Sequence, residues 1–443
     1  MDTIVAISTP LGSGGIGVIR MSGKEAKEIA SKVFATKKLN SFMDAEPNYM
    51  YLGNIDEENV KEKCFAVYFK SPNSYTGEDV VEFQCHGGVA LVNKVVDLLL
   101  EKGAKLADRG EFTRRAFING KMALADCEGV IEMINADSDA SLNAGYRLME
   151  GKLSKQIVAL QDEITDLLAR GEASLDYPEE LEEEVDEYTR EKMKSVKAEI
   201  ENLVDSYTYG RIVKEGVKVA LVGKTNVGKS SMLNAFLGKE RAIVTDIAGT
   251  TRDVIEESVE VGGIKITFTD TAGIRESDDV VEKVGIEKAK SELKSSDIVL
   301  YVVDVEDKEK DEEFEKLLEG KKVIRVVNKI DKVEDSKDFE DGVIPVSCKT
   351  GENVKKVLDE IVNAVSEGKV TSGGETVVLK RHYQAIVEAK KSIDEVYYNY
   401  DMMDNCLRLM ELKNAWNKLG EVTGTTATED IIDAIFSKFC LGK

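Results

Sequence analysis

The sequence predicts an α/β plus α protein. An N-terminal α/β domain comes first, then a helical domain made from two chain segments, with a mainly parallel α/β domain inserted between them. Three observations predict this. From Val217 onward, apolar strand-like runs alternate with helical ones, the pattern of a parallel sheet with crossover helices. On either side of that region, over residues 124–175 and from about Val378 to the C-terminus, apolar residues recur at helical spacing. Only five prolines occur in 443 residues, so between Pro72 and Pro178, and again after Pro345, long helices meet no proline break.

Residues 1–118 form the first domain. Residues 3–8, 15–21, 64–70 and 80–85 read as short strands separated by Gly- and Ser-containing turns, and 88–100 as an amphipathic helix. Residues 119–215 form the first helical segment, with Ile131, Ile134, Leu142, Leu148, Leu153, Ile157, Leu160, Ile164 and Leu167 in phase. Its acidic run, 179–187, reads as a solvated loop, and 191–204 as helix again. Residues 216–366 form the inserted domain, with strands expected at 217–222, 264–269, 298–303, 323–327 and 343–346. Residues 367–443 supply the second helical segment, after the break Ser372-Gly373-Gly374.

Composition bounds the function. Hydrophobic residues make up 42% and charged residues 32%, as in a soluble globular protein. No apolar run reaches the ~18 residues of a membrane helix. The N-terminus lacks a basic stretch ahead of an apolar one, so a cytoplasmic protein without membrane contact is expected. Six scattered cysteines, no Cys-x-x-Cys pair and two histidines argue against a zinc site. Cys440 stands where a prenylation box would place it, but Gly442 and Lys443 suit that box poorly. The net charge of −23 repels phosphate backbones, so any RNA contact needs a local basic patch or a partner. His86 suits packing or a pocket equally well, His382 a helix surface, and Trp416 the core.

The inserted domain carries the chemistry. Gly223-Lys224-Thr225-Asn226-Val227-Gly228-Lys229-Ser230 fits Gly-x4-Gly-Lys-Ser between a strand and a helix that continues with Ser231. Backbone N–H groups freed by the glycines cradle phosphates, Lys229 reaches the β- and γ-phosphates, and the Ser230 hydroxyl suits Mg²⁺. Asp270-Thr271-Ala272-Gly273 ends the next strand, where an Asp and a γ-phosphate-sensing Gly belong. Asn328-Lys329-Ile330-Asp331 ends another; a carboxylate at Asp331 accepts two hydrogen bonds that guanine offers and adenine does not. Ser347-Cys348-Lys349 ends the following strand, beside the guanine carbonyl. Four elements in this order point to GTP and Mg²⁺.

Catalysis departs from the commonest small-GTPase pattern. The residue after Asp-Thr-Ala-Gly is Ile274, which cannot orient water as a Gln there would. Another group must hold the water and another cation must offset the transition-state charge. Arg252, Arg275 and Glu282 are the candidates nearby. Asn226 could offer a carbonyl oxygen to a monovalent cation at the phosphates, or merely stabilise its loop.

These motifs together resemble the MnmE (TrmE) family of tRNA-modification GTPases over nearly the whole chain. Residues 2–6 with Gly14-Gly15-Ile16-Gly17-Val18-Ile19-Arg20 resemble its opening, and residues 74–82 with His86-Gly87-Gly88 its folate-domain signature. Gly110-Glu111-Phe112-Thr113, Arg115-Ala116-Phe117 and Asn119-Gly120-Lys121 resemble the entry to its helical domain, and residues 244–253 its switch I. Phe439-Cys440-Leu441-Gly442-Lys443 resembles its C-terminal Cys-Ile-Gly-Lys, with Leu for Ile; Lys224-Thr225 replace a more usual Arg-Pro.

The resemblance implies a folate-binding-like N-terminal domain that dimerises and an inserted P-loop, Ras-like GTPase domain. It implies K⁺-dependent hydrolysis, with K⁺ held by Asn226, Thr245, Ile247 and Thr250, and Mg²⁺ by Ser230 and Thr251. Glu282 would orient the water. Arg20, Glu82, Lys121 and Lys443 would bind 5-formyl- or methylene-tetrahydrofolate, and Cys440 is a candidate for chemistry on tRNA. The implied partners are a second copy, tRNA, and a flavin-containing protein of the MnmG/GidA type, which brings FAD and NADH into a heterotetramer or larger complex. The implied product is an aminomethyl-type group on the tRNA wobble uridine. A ribosome-assembly GTPase would share the inserted domain but usually carries a basic RNA-binding domain, and none is visible here. A folate-dependent aminomethyltransferase regulated by GTP, and a switch without chemistry of its own, are the other readings.

Overall fold

A computed structural model describes residues 2–224, 226–238, 257–270, 293, 295–307, 318, 320–333, 339, 341–366 and 377–443. They fall into two compact units. The first comprises Met1–Ile131, Arg147–Thr189 and Tyr398–Lys443, and the second Glu132–Tyr146 and Arg190–Tyr397.

The first unit opens with a seven-stranded sheet: β1 Ile4–Ile7, β2 Gly14–Ser22, β3 Phe34–Ala35, β4 Met50–Glu57, β5 Val60–Phe69, β6 Val80–Gly87 and β7 Lys105–Leu106. Their order is β3-β4-β5-β6-β2-β1-β7, antiparallel except where β7 joins β1. Helices α1 (Ala26–Val33) and α2 (Val89–Glu101) cover one face through Val5, Ile19, Met21, Phe83, Val95 and Leu99, all fully buried or nearly so. Strand β4 was not expected from sequence. Its inward residues Tyr51, Gly53 and Ile55 alternate with Met50 and Leu52, which are apolar yet exposed, so the period of two is masked.

Besides α1 and α2, this unit contains α3 (Glu111–Ile118), α6 (Lys152–Asp176), α11 (Asn405–Thr423), α12 (Glu429–Phe436) and parts of α4 (Leu124–Asn135), α5 (Asp139–Met149) and α7 (Pro178–Glu215). Helices from the two sides of the insertion meet here. Gln161 donates to the Trp416 carbonyl at 3.0 Å, and Gly171 lets Leu409 come so close that a Cβ would sit 2.4 Å from it. Trp416 is half-buried rather than core, its ring N–H donating to Thr165 Oγ1 at 3.0 Å. The acidic run 179–187 is helical, not a loop. Pro178 begins α7, where its missing N–H costs nothing, and Glu179 follows it in the first turn, where the helix dipole favours an acid.

The second unit centres on a six-stranded sheet: β8 Val217–Val222, β9 Glu257–Val261, β10 Ile264–Asp270, β11 Ile298–Asp304, β12 Val323–Asn328 and β13 Val343–Pro345. The order is β13-β12-β11-β8-β10-β9, parallel except for β9. Helices α8 (Lys229–Leu237) and α9 (Val354–Ser366) pack on it; Phe236 stacks on Phe268 at 4.9 Å. The sequence missed β9, whose five residues include two glutamates. Helix α10 (Lys380–Asn399) pairs with α7, where Tyr207 stacks on Tyr383 at 4.1 Å. His382 lies on α10 with no exposure, which corrects the expectation of a surface residue.

Candidate functional site

The carboxyl ends of parallel strands gather ligand-binding loops on one edge. Here β8 ends at the loop 223–228 and β10 at Asp270, while β11, β12 and β13 end at Asp304, Asn328 and just before Ser347. The backbone of the first loop needs its glycines. Gly223 has φ +150° and a Cβ there would lie 2.1 Å from the Val302 carbonyl oxygen; Gly228 has φ +100° and a Cβ would meet Asn328 Nδ2 at 2.3 Å. Asn226 holds φ +63°, which Asn tolerates better than most residues. Lys229 opens α8, and its ammonium donates to the carbonyls of Gly223 at 2.7 Å and Lys224 at 2.8 Å. Val227 is buried beneath the loop, while Ser230 and Ser231 are exposed on the first turn of α8. This cradle of backbone donors and one lysine fits a nucleotide phosphate chain.

The base end is tied to the cradle by side chains. Asn328, 1% exposed, donates from Nδ2 to the Val227 carbonyl at 2.9 Å and accepts the Cys348 N–H at 3.2 Å. Lys329, at φ +66°, donates to the Asn226 carbonyl and to Asp304 Oδ2, both at 2.6 Å. Ser347, fully buried, donates its hydroxyl to Asp331 Oδ1 at 2.6 Å, and Lys349 Nζ stands 3.9 Å from Asp331 Oδ2. The Ser347 bond, reinforced by Lys349 and Lys332, holds the Asp331 carboxyl below its usual range, so it meets a ligand ionised. Burial pushes the Cys348 thiol up to about 11, which leaves it neutral. Asp304 was missed by sequence reading, although an acid closing an apolar strand run was there to see.

Thr225, Thr245, Ile247, Thr250, Thr251, Arg252, Thr271, Ala272, Gly273, Ile274, Arg275 and Glu282 lie outside the described residues. The backbone of Asp270 ends β10, paired with Leu221, but its side chain lies outside them too.

In the first unit, Arg20 and Glu82 are cross-strand partners on β2 and β6. Arg20 Nε donates to Glu82 Oε1 at 2.7 Å, and each side chain is 17% exposed. The Arg20 guanidinium also lies 5.3 Å from the Tyr75 ring and 5.7 Å from the Phe112 ring. Lys121 donates to the Pro72 carbonyl at 3.0 Å, beside Gly77. The C-terminus returns to this region: Phe112 N donates to the Lys443 carbonyl at 3.2 Å and Ser8 Oγ to the Gly442 carbonyl at 3.1 Å. Cys440 is exposed. His86 is exposed too, paired through Nδ1 with Glu62 at 2.7 Å. Arg115, which the sequence placed within a family-like motif but gave no role, is 4% exposed and binds Glu78 at 2.9 Å and Glu111 at 2.7 Å.

Comparison with known proteins agrees with both halves. Residues 3–121 match the family model of the GTP-binding protein TrmE N-terminus, and 124–440 match that of the MnmE helical domain. The tRNA modification GTPase MnmE of Clostridioides difficile is 42% identical over 455 residues, covering 100% of this chain and 99% of the relative. The chain belongs to the MnmE family of tRNA modification GTPases. The family member from Geobacillus thermodenitrificans is 40% identical over 464 residues, again covering 100% of this chain. Among solved structures, a variant of Era of Aquifex aeolicus bound to GDP and aluminium fluoride is 24% identical, covering 47% of this chain and 89% of its own at a TM-score of 0.29. As a family member with this nucleotide edge, the chain is a GTP hydrolase. Among the described residues, no helix is long and apolar enough to cross a membrane.

Proposed function

We propose that the chain is a K⁺-stimulated GTPase that helps install an aminomethyl-type group, carboxymethylated in one form, at C5 of the tRNA wobble uridine. It works with a flavin-containing partner and a tetrahydrofolate one-carbon donor, as a homodimer. Full-length similarity to curated tRNA modification GTPases carries this reading.

Several of the described residues suit the groups that the reading requires. GTP takes the cradle of Gly223, Asn226, Val227, Gly228 and Lys229, with the base on Asn328, Asp331, Ser347 and Cys348. Ser230 would hold Mg²⁺, with Thr251, and Asn226 would give its side-chain oxygen to K⁺, with Thr245, Ile247 and Thr250. A bound cation there offsets charge that builds on the phosphates in the transition state. Glu282 would orient the water, with Arg252 and Arg275 nearby.

For the folate donor, Glu82 and Arg20 supply a half-buried carboxylate and guanidinium. Among the described residues, Glu82 Oε2 and the two terminal nitrogens of Arg20 have no hydrogen-bond partner, so both groups keep capacity for a ligand. Lys121 and Lys443 would meet ligand carboxylates, and Cys440 is exposed enough to meet a substrate. Mass spectrometry of wobble uridines from cells lacking this protein tests the reading. The modified nucleoside should disappear and return with the intact gene; unchanged nucleosides would refute the role in tRNA modification.

A further inference from the structure

The second unit contains a grip that GTP binding leaves unused. Strands β9 and β10 are joined by Gly262 and Gly263, both at positive φ (59° and 81°), as a tight hairpin turn requires. The tip of this hairpin is held by the corner between α4 and α5. Lys265 Nζ donates to Asp137 Oδ2 at 2.6 Å, with side chains 20% and 34% exposed. Asp139 N donates to Glu260 Oε1 at 3.1 Å and Ala140 N to the Gly263 carbonyl at 3.0 Å.

These last two are first-turn N–H groups of α5, which a helix cannot satisfy from within. The hairpin, about 120 residues further along the chain, serves as their cap. Ser138 and Ser141, both buried, exchange hydrogen bonds that close the corner. Behind it, a Cβ on Gly145 would lie 2.8 Å from Met133 N, so the two helices touch backbone to backbone. On the hairpin's other side Gly216, at φ +79°, would place a Cβ 2.6 Å from the Lys265 carbonyl oxygen. The hairpin tip therefore has little room to slide.

Strand β10 runs from this grip to Asp270, about 17 Å from Lys265 at the usual rise per residue. It keeps parallel register with β8, which ends at Val222, just before Gly223. A strand is stiff along its length, so the grip at Lys265 fixes how far β10 projects toward the phosphates. We propose that Asp137 is a positioning residue for GTP hydrolysis, acting through Lys265 and β10 on Asp270. Guanine recognition sits on β12 and β13 and should not feel it. The inference rests on assigning Asp270 to the phosphate end, which Asp270→Ala tests separately by abolishing turnover.

The experiment uses the full chain and steady-state GTP hydrolysis. Asp137→Lys and Lys265→Asp should each lower kcat about fivefold or more, the lower end of site-to-site coupling. KM and GDP affinity should stay unchanged, and the double reversal Asp137→Lys/Lys265→Asp should recover most of kcat. The near-isosteric Asp137→Asn should lose part of kcat at an unaltered melting temperature, which separates positioning from failure to fold. Unchanged kcat in the single variants, a double variant as slow as the slower single, or a parallel loss of GDP affinity would each overturn the proposal.

Discussion

Lys329 is joined to Asn226 across 103 residues of sequence, its ammonium donating to the Asn226 carbonyl at 2.6 Å. The same ammonium holds Asp304 at 2.6 Å. One side chain thus links the loop after β8 to the end of β11 from the end of β12.

Removing that link should loosen the empty site. Lys329→Met leaves Asp304 and the Asn226 carbonyl without their charge-assisted partner, at a cost of about 2–3 kcal/mol. Burial alone would raise the Asp304 carboxyl, but Lys329, the Glu306 N–H and Lys332 together outweigh it and hold the carboxyl below its usual value. A depressed carboxylate stabilises the fold above its unfolded pKa and loses that contribution as pH falls through the folded one. Urea unfolding should therefore show a gap between wild type and variant at neutral pH that narrows below pH about 4. A gap independent of pH would mean that Asp304 takes no part.

The guanine preference should reside in Asp331. Its Oδ1 accepts the Ser347 hydroxyl at 2.6 Å, and Lys349 Nζ stands 3.9 Å from its Oδ2. Asp331→Asn replaces an acceptor pair with a mixed donor and acceptor, which suits xanthine. Loss of hydrogen bonds to a charged group predicts a roughly tenfold or greater fall in GTP affinity, with a gain for xanthosine triphosphate. Competition binding with GTP, ATP and xanthosine triphosphate measures this; equal ATP and GTP affinity in the wild type would contradict it.

The nucleotide edge was legible because its motifs are contiguous and each stands at or just past a strand end: Gly223 follows β8, Asn328 ends β12 and Ser347 lies just past β13. What escaped depends on distant chain. His382 looks like a surface residue beside Arg381, and only the packing of α10 buries it. Arg115 looks like one charge among many on a short helix, but Glu78, 37 residues earlier, and Glu111 make it a buried hub. The acidic run 179–187 misled because charge density describes solvation, whereas the helix is set by Pro178 and by pairs such as Asp186 with Arg408 at 2.8 Å.

Arg115 should be the costliest charge to remove from the first unit. It is 4% exposed and also donates to the Asp2 carbonyl at 2.9 Å. Arg115→Met would leave the Glu78 and Glu111 carboxylates, 17% and 21% exposed, without their cation. Breaking a buried pair from one side costs about 3–5 kcal/mol. Thermal unfolding should show a clear loss of melting temperature; a shift within error would mean that water replaces the guanidinium.

Potassium dependence should be probed at Asn226 with glycine rather than alanine. Asn226 sits at φ +63°, where an alanine adds about 1–2 kcal/mol of backbone strain and confounds the result. Asn226→Gly suits the positive φ and removes the carboxamide whose oxygen is proposed for K⁺. GTP turnover of the wild type should be faster in K⁺ than in Na⁺ at matched ionic strength, and the variant should lose that difference while still binding GDP. Equal wild-type turnover in both salts would remove the reason to place K⁺ here.

The C-terminal seat offers a test that separates the two proposed activities. Gly442 has φ +88°, and a Cβ there would lie 2.0 Å from the Ile7 carbonyl oxygen, a backbone atom that cannot turn aside. Gly442→Ala should therefore unseat the last residues, breaking the bonds from Ser8 Oγ to the Gly442 carbonyl and from Phe112 N to the Lys443 carbonyl. Phe112 also lies under the Arg20 guanidinium, 5.7 Å away, so the tail, Phe112 and Arg20 form one connected region. If that region binds a folate, the variant should bind 5-formyltetrahydrofolate far more weakly by calorimetry, as should Glu82→Ala. The nucleotide site belongs to the other compact unit, so GTP hydrolysis should persist at the wild-type rate. Undiminished folate binding by Gly442→Ala would separate the tail from the ligand, and no heat even with the wild type would remove the folate site altogether.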